Sequence, residues 1–345
     1  MSLTGAKWLG LAAALALLLG AAALLGWRDL AANMVQPGAN AAAVRIEVPP
    51  GVPLRGILSG LQQHGALRHA RWVELYLRLR GLRPRAQAGR YEIAPHATPH
   101  QILAQLVDGR VILSSITVVE GWSFSQMRSA LDHDPDVSHP LRGLTDQQLM
   151  SALGQPGQAP EGRFFPDTYR FAAGTPDRTI LLMAYQRMRA TLADDWAHRA
   201  ADLPLTSPDQ ALILASIIEK ETARPDERPK IAAVFCNRLR RGMRLQSDPT
   251  VIYGLGEHYD GTIHTHDLTI DTPYNTYTRA GLPPTPIALP GAASLQATLH
   301  PADIDALYFV ATGNGDGSHH FSATLAEQDR AIRSYLRRLS RQAAH

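Results

Sequence analysis

The sequence predicts an α+β protein with three parts: an N-terminal membrane-spanning helix, a small α/β subdomain and a larger mixed α+β domain. Three observations support this prediction: an uncharged N-terminal run of 20 residues, two strand-then-helix patterns, and several later helical patterns. With 345 residues, the chain is long enough for more than one hydrophobic core. We expect an anchor at 1–28, a linker at 29–43, the small subdomain at 44–112 and the larger domain at 113–340.

The uncharged run extends from Trp8 to Trp27 and has the length of a bilayer-spanning helix. At about 1.5 Å per residue, such a helix covers about 30 Å, the thickness of the hydrocarbon core. Both end residues are tryptophans, which are enriched at membrane interfaces. A cleavable signal peptide is the alternative, but its apolar region usually has only about 7–15 residues. We therefore favour an uncleaved anchor, with the long polar remainder outside the cytoplasm.

Charge, cysteine and histidine usage limit the possible partners and cofactors. The net charge of +3 is too small to indicate nucleic acid, and the arginines of "YLRLRGLRPR" are expected on a solvated helix face. The single cysteine, Cys236, excludes an internal disulfide and a Cys-based zinc site, and its apolar helical context predicts a core residue. No histidine pair forms a His-Glu-x-x-His pattern and no cysteine partners the histidines, so we predict no metal.

The small subdomain shows strand signals followed by helix signals. Val44, Ile46 and Val48 alternate with polar residues, which predicts a strand, and a Pro-Pro-Gly turn ends it. A second strand, "GRYEI", precedes Thr98, a suitable N-cap residue, and Pro99, which suits the first helical position.

The strongest helix signal in the larger domain is "SPDQALILASIIEKET", residues 207–222. Ser207 is a suitable N-cap and Gln210 stands where a capping box has its partner. Because the body of this helix is apolar all round, we expect it to be buried. Glu219 then lies where the helix emerges, and both burial and the helix dipole favour its neutral form, while Lys220 opposes them. A protonated carboxyl is what a general acid requires. The alternative is that these charges only end the helix in solvent.

Several long motifs carry a resemblance to a known family. "LASIIEKET", "VFCNRLRRGMRLQSDPTVIYGLG" and "DTPYNTYTRAGLPPTPIALPG" resemble the endolytic murein transglycosylases of bacterial inner membranes. The resemblance implies that Glu219 is catalytic. It also implies cleavage of nascent peptidoglycan between N-acetylmuramic acid and N-acetylglucosamine, with 1,6-anhydro-muramyl ends. A single carboxylate suits this reaction, because the sugar's tethered C6 hydroxyl replaces the second group that ordinary glycosidases need.

The resemblance further implies an inner-membrane enzyme with a periplasmic catalytic domain, no cofactor, and peptidoglycan synthases as neighbours. It extends to further side chains that could contact the glycan: Gln246, Asp248, Asn275, Thr276, Tyr277, Glu161 and Tyr169. For Asp248 the alternative is an Asx-turn before Pro249. For Glu161 and Tyr169 it is a structural loop.

The strand–helix units between residues 44 and 110 resemble a LysM-like glycan-binding subdomain. His96 and Ala97 stand where such modules commonly have Gly-Asp. A packing spacer is the alternative role for this subdomain. Two rival functions also stay open for the whole chain: a hydrolytic muramidase that uses Glu219 with Asp248, and a non-enzymatic glycan-binding scaffold held at the membrane.

Overall fold

The computed structural model describes residues 3–342, with side chains for 11–340. The side chain of Trp8, predicted to lie at a membrane interface, falls outside the described side chains. The helices have the following bounds: α1 Leu3–Asn33, α2 Leu54–Gln63, α3 Ala70–Leu79, α4 Pro99–Asp108, α5 Phe124–His133, α6 Asp146–Ala152, α7 Asp177–Ala197, α8 Pro208–Glu221, α9 Arg228–Arg240, α10 Asp248–Leu255, α11 Ala292–Leu299 and α12 Leu325–Gln342. Two 3₁₀ helices span Gly256–His258 and Asp267–Thr269.

The strands are short and pair two by two. Their bounds are β1 Val44–Val48, β2 Gly89–Ile93, β3 Leu113–Thr117, β4 Val137–Ser138, β5 Thr168–Ala172, β6 Thr175–Pro176, β7 Tyr308–Ala311 and β8 His319–Ser322. The pairs are β1 with β2, β3 with β5, β4 with β6, and β7 with β8. The predicted α+β class with an N-terminal apolar helix is therefore confirmed. The chain divides into two compact units, the first comprising residues 1–114 and 171–174, the second 115–170 and 175–345.

Helix α1 is long enough and apolar enough to cross a membrane. Its segment Leu11–Asn33 has 23 residues, a mean hydropathy of 1.8 and no buried share in its apolar window. These properties fit the predicted anchor, because a bilayer needs about 20 apolar residues in a helix.

The predicted linker, residues 29–43, packs onto the first unit. Leu30 and Met34 are 6% and 5% exposed, and α1 continues to Asn33. Further along, the backbone N–H of Gly38 donates to the carbonyl of Ala97 at 3.1 Å, and that of Ala39 to Gly65 at 3.0 Å. This difference from the expectation has a simple cause: small residues are typical of linkers, but they also allow the close backbone contacts seen here.

The core of the first unit lies between the β1–β2 ladder and helices α2, α3 and α4. The ladder is antiparallel, with Val44 opposite Ile93 and Val48 opposite Gly89. Thr98 is the N-cap of α4, as predicted, and forms a capping box with Gln101. The core includes the following buried side chains: Leu58, Leu61, Val73, Leu77, Tyr91, Ile93, Ile102 and Leu106.

His96 adopts a backbone conformation that glycine usually occupies. Its φ is 56°, which lies in the left-handed region that glycine adopts most readily. The carbonyl of Asn40 accepts a hydrogen bond from the His96 N–H at 3.1 Å, and the His96 ring contacts the carbonyl of Gly38 at 3.3 Å. These contacts offset the conformational cost of a side chain at this turn.

Helix α8 lies at the centre of the second unit. Every residue from Ala211 to Ile218 is buried, and α7, α9 and α11 pack against the helix. The prediction of a buried helix is confirmed, as is the cap: the Ser207 hydroxyl accepts from the Gln210 N–H at 3.3 Å. The second arm of the predicted capping box differs, because the Gln210 side chain accepts from the N–H of Thr206, one residue earlier, at 2.7 Å.

Cys236 lies in α9 and is fully buried in the same core. Burial raises the pKa of its thiol to about 11, so the thiolate is not formed at neutral pH. The prediction of a core cysteine is confirmed.

We predict that a truncated chain beginning at residue 44 has a less stable first unit than one beginning at residue 29. The shorter chain lacks Leu30 and Met34, and burying one such side chain contributes about 1.5–3 kcal/mol. Hydrogen exchange of the β1 and β2 amides measures the difference. As a control, Val35→Ala in the longer chain should change little, because Val35 is exposed. Equal protection in the two truncated chains would contradict the packing of α1 onto this unit.

Candidate active site

Glu219 lies in the last turn of α8, where the buried helix emerges. Its side chain is only 5% exposed. One carboxylate oxygen, Oε2, accepts a hydrogen bond from the N–H of Gly291 at 2.9 Å. The other, Oε1, lies 3.5 Å from a guanidinium nitrogen of Arg228 at the start of α9. The carboxyl group is therefore held from two sides while most of its hydrogen-bonding capacity stays free.

Two loops enclose Glu219. The loop 286–291 follows the face of α8, because Ile287 donates its N–H to the Ser216 hydroxyl at 3.0 Å and Gly291 donates to Glu219. The loop 120–122 joins it through backbone hydrogen bonds from Gly121 to Leu289 at 2.9 Å and from Leu289 to Trp122 at 2.7 Å. The two loops and α8 thus form the walls around one carboxyl group.

A glycine stands in each loop where the backbone conformation or a close neighbour requires one. Gly121 has a φ of 78°, and a Cβ there would lie 3.7 Å from the Cγ of Glu219. At Gly291 an added Cβ would lie within 3 Å of three atoms of the Glu120 side chain. Lys220 donates its ammonium group to the carbonyl of Gly121 at 3.3 Å. The lysine therefore fixes the loop rather than the carboxylate.

Arg228 is a side-chain partner of Glu219 that the sequence did not indicate. Its side chain is 12% exposed, and its Nε is buried without a hydrogen-bond partner among the described side chains. A buried N–H donor without a partner is energetically costly. The sequence could not show this contact, because only the turn between α8 and α9 brings the two side chains together.

Glu221, two residues after Glu219, occupies a different environment. At 100° per residue the two carboxylates leave α8 about 200° apart. The hydroxyl of Ser247 donates to Glu221 Oε1. Burial raises the pKa of Glu221 to about 7, and the negative charge of Asp248 adds to this shift, while the Ser247 hydrogen bond and Arg238 oppose it. The sequence did not indicate a function for Glu221.

Three of the predicted glycan-contacting residues lie on the Glu221 side of α8. Tyr277 donates its hydroxyl to Asp248 at 2.6 Å, and Asp248 is exposed at the first position of α10 rather than in an Asx-turn. Gln246 is exposed and has a φ of 51°. Its N–H donates to the carbonyl of Thr276 at 3.2 Å. Asp248, Tyr277 and Gln246 therefore present polar groups on one surface.

Asn275 and Thr276 are buried, with 1% and 2% exposure. The Asn275 amide donates to three backbone carbonyls, the shortest contact being 2.7 Å to Ile270. The Thr276 hydroxyl accepts from the N–H of Ser247 at 2.9 Å and pairs with Thr250. Both side chains fix the loop that carries Tyr277, and their direct contact with a glycan stays a prediction.

Glu161 and Tyr169 are also buried. Glu161 accepts from the N–H of Phe124 at 3.0 Å and from the hydroxyl of Tyr253 at 3.2 Å. Burial raises its pKa to about 7. Tyr169, on β5, donates to the carbonyl of Phe165 at 2.5 Å, and burial raises the pKa of its hydroxyl above the ordinary value. Their predicted role as cleft lining stays a prediction.

Among the described residues, one group has the donor set for a cation: Asp132, His139 and Asp177, whose ligand atoms lie within 4.8 Å of one another. The Asp177 oxygens accept the N–H groups of Leu141 and Arg178, so this carboxylate already has two backbone donors. Two histidines pair with carboxylates: His319 with Glu227 at 2.7 Å and His264 with Asp260 at 3.2 Å.

Glu219, a buried carboxyl group enclosed by two loops of an α+β domain, is the candidate acid–base group of this site. Comparisons with known proteins agree with the family that the motifs indicated. Residues 46–334 match the YceG-like family. A protein of Bacillus subtilis (strain 168) named endolytic murein transglycosylase is 31% identical over 312 residues, which is 85% of each chain. The chain belongs to the YceG-like family, and its resemblance to the endolytic murein transglycosylases is confirmed.

A second relative and a solved structure extend this comparison. The endolytic murein transglycosylase of Streptococcus pneumoniae serotype 2 (strain D39 / NCTC 7466) is 24% identical, and the alignment covers 92% of this chain and 63% of that protein. The crystal structure of a yceG-like protein from Listeria monocytogenes is 27% identical and superposes with a TM-score of 0.53. That superposition covers 84% of this chain and 98% of the Listeria chain.

We predict that Glu221 makes the protein less stable as the pH rises from about 4.5 to 7. The unfolded state releases this proton near the ordinary value of 4.5, whereas the folded state retains it up to about 7. Stability is therefore highest below the unfolded value and falls as the pH rises through the folded value. The full loss is about 3 kcal/mol, from about 1.4 kcal/mol per pKa unit.

Glu221→Gln should remove this loss, so that its stability relative to the wild type increases between pH 4.5 and pH 8. Urea unfolding of both proteins at the two pH values measures the difference. Glu257→Gln, at an exposed position, is the matched control and should follow the wild type. A constant difference between Glu221→Gln and the wild type at both pH values would contradict the raised pKa.

Proposed function

We propose that this chain is an endolytic lytic transglycosylase of peptidoglycan. It would cleave nascent glycan strands between N-acetylmuramic acid and N-acetylglucosamine and leave 1,6-anhydro-muramyl ends. The observation that carries this proposal is Glu219, a carboxyl group held at the end of a buried helix between two loops. Family membership supports it, because the curated relatives are named endolytic murein transglycosylases.

The proposed reaction needs one carboxyl group in two roles. Glu219 first donates its proton to the glycosidic oxygen while the bond from that oxygen to the anomeric carbon breaks. As a carboxylate it then accepts the proton of the C6 hydroxyl, whose oxygen forms the new bond to the anomeric carbon. Glu219 ends protonated and no water is consumed. The intramolecular hydroxyl has a high effective molarity, so a second catalytic carboxylate is not required.

The surroundings of Glu219 suit both states of this cycle. Its side chain is only 5% exposed, so bulk water has little access to the proton that it donates. Once the proton has been donated, the guanidinium of Arg228 and the N–H of Gly291 stabilise the carboxylate.

The position of Asp248 supports a lytic rather than a hydrolytic mechanism. A muramidase would need Asp248 near Glu219 to activate water. Asp248 interacts with Glu221, which leaves α8 about 200° away from Glu219, and its carboxylate accepts from the Tyr277 hydroxyl. Within the proposal, Asp248, Tyr277 and Gln246 orient sugar groups on the glycan rather than take part in the chemistry.

We place the enzyme in the bacterial inner membrane, held by residues 8–27, with its catalytic residues in the periplasm. There it would meet strands as peptidoglycan synthases produce them. For the first unit we propose a LysM-like role in glycan contact. Its antiparallel β1–β2 ladder with packed helices supports this, and the left-handed His96 stands at the turn where such modules commonly have Gly-Asp.

Glu219→Gln should lower the rate of strand cleavage by about 10²–10⁴-fold, the usual contribution of general acid–base catalysis. Glutamine keeps the volume and can still accept from Gly291, so the fold should be retained. Mass spectrometry of products from uncrosslinked glycan strands measures the effect and shows the ends that form. Glu257→Gln, an exposed glutamate exchanged in the same way, is the control and should cleave normally.

The product ends separate the rival functions. Internal fragments whose ends are lighter by one water, lost with Glu219→Gln, would support the transglycosylase. Ordinary reducing ends would instead indicate a muramidase. Strand binding without cleavage by the wild-type protein would favour a non-enzymatic scaffold.

Arg228 should act through its charge. We expect Arg228→Lys to retain more activity than Arg228→Gln, because only the lysine keeps a cation beside the Glu219 carboxylate. The turnover number on the same strands, compared with unfolding midpoints of both variants, measures this. Equal losses in the two variants at equal stability would show that the charge of Arg228 has no role in catalysis.

A further inference from the structure

Helix α3 carries an exposed apolar face. Trp72, Leu75 and Leu79 are 42%, 46% and 62% exposed. At 100° per residue these three positions fall within a sector of about 60°. Val73 and Leu77, which face the core, point in another direction and are buried. Leu82, just beyond the helix, continues the face with 52% exposure. An apolar stripe of this kind on a folded unit indicates an interaction site.

This face lies next to the residue at which the apolar run of α1 ends. The ring of Trp27, the last residue of the run, stacks on Tyr76 of α3 with centroids 5.6 Å apart and an 18° angle between the planes. The guanidinium of Arg80 lies 5.8 Å from the Trp27 ring. On the helix wheel, Tyr76 is about 40° from Trp72. The contact therefore places the apolar face of α3 beside the segment of α1 at which a bilayer would end.

Arginines border the apolar face. Residues 68–85 contain six arginines and one acidic residue, Glu74, which pairs with Arg55 at 3.7 Å. Arg71 and Arg78 lie next to the apolar sector on the side away from Tyr76. Both are exposed and have no carboxylate partner among the described residues. Arg83 and Arg85 extend the positive charge past Leu82.

We propose that α3 and the segment up to Arg85 dock on the surface of an anionic lipid membrane, next to the exit of α1. This inference rests on the proposed membrane insertion of α1. Trp72, Leu75, Leu79 and Leu82 enter the boundary between headgroups and acyl chains, and the arginines contact lipid phosphates. An apolar stripe flanked by basic residues is the pattern of helices that lie in a membrane interface.

The contact between α3 and the end of the apolar run of α1 favours a lipid surface over other binding partners for this face. The Trp27–Tyr76 stack fixes the depth of α3, because Trp27 marks the end of the uncharged run and Arg28 is the first charged residue after it. At that depth an aqueous environment would leave three large apolar side chains in water. The arginines expected on a solvated face of α3 thus have phosphates as their counterions.

Spin labels on the full-length chain, reconstituted in vesicles with phosphatidylglycerol, test the proposal. Single cysteines replace Leu75, Leu79, Leu17 or Glu47, one per protein, and each carries a nitroxide. Cys236 is fully buried, so the unchanged chain serves as the labelling blank. We expect labels at 75 and 79 to have an oxygen-to-nickel accessibility ratio several times that of the label at the exposed Glu47 of β1.

The outcomes distinguish membrane docking of α3 from membrane insertion of α1. A label at Leu17 that reports water would mean that α1 is not inserted, which removes the basis of the inference. A label at Leu17 in hydrocarbon, with labels at 75 and 79 as wet as the label at 47, would overturn the docking alone. Dipolar broadening between labels at 75 would instead identify a second copy of the chain as the occupant, and would also overturn it.

A charge-reversed variant tests the role of the anionic lipid. Arg71→Glu with Arg78→Glu should bring the accessibility ratio of labels at 75 and 79 back toward that of the label at 47, while the label at Leu17 stays in hydrocarbon. Both arginines are exposed, so the fold should tolerate the change. An unchanged ratio in this variant would overturn the contribution of lipid phosphates.

Discussion

Burial of α8 on all sides is the constraint on which the second unit depends. Eight consecutive residues, Ala211 to Ile218, have no solvent-facing side, so the helix has to be surrounded by α7, α9 and α11. The helix can meet solvent only at its ends. The packing of residues 211–218 therefore fixes the positions of the polar residues that follow Ile218. This is how an apolar core comes to hold reactive groups with little freedom.

One helical turn then supplies two carboxylates with different environments. Glu219 faces a backbone N–H and a guanidinium, which accommodate a negative charge. Glu221 faces a hydroxyl within the protein, and burial raises its pKa to about 7. The difference follows from the 200° between their directions on α8, which brings different loops to each. A group that cycles between acid and base needs the first environment, whereas the second favours a neutral hydrogen-bonded carboxyl.

The first unit shows where local patterns are sufficient and where they fail. Thr98 caps α4 as its sequence context indicates, because a cap depends on residues within one turn. Residues 29–43 were expected to form a linker, but Leu30 and Met34 pack into the core. Composition describes the segment alone, whereas its packing depends on partners far along the chain, such as Ala97, whose carbonyl accepts from the Gly38 N–H.

The sequence by itself determined the α+β class, the apolar run, the bounds of α8 to within one residue and the place of Glu219 at its end, because each follows from periodicity and capping over a few neighbours. Only the tertiary structure decided what surrounds that carboxyl. Arg228 and Gly291 reach it from 9 and 72 positions away along the chain. Such contacts depend on how loops close over the core, and no local pattern encodes them.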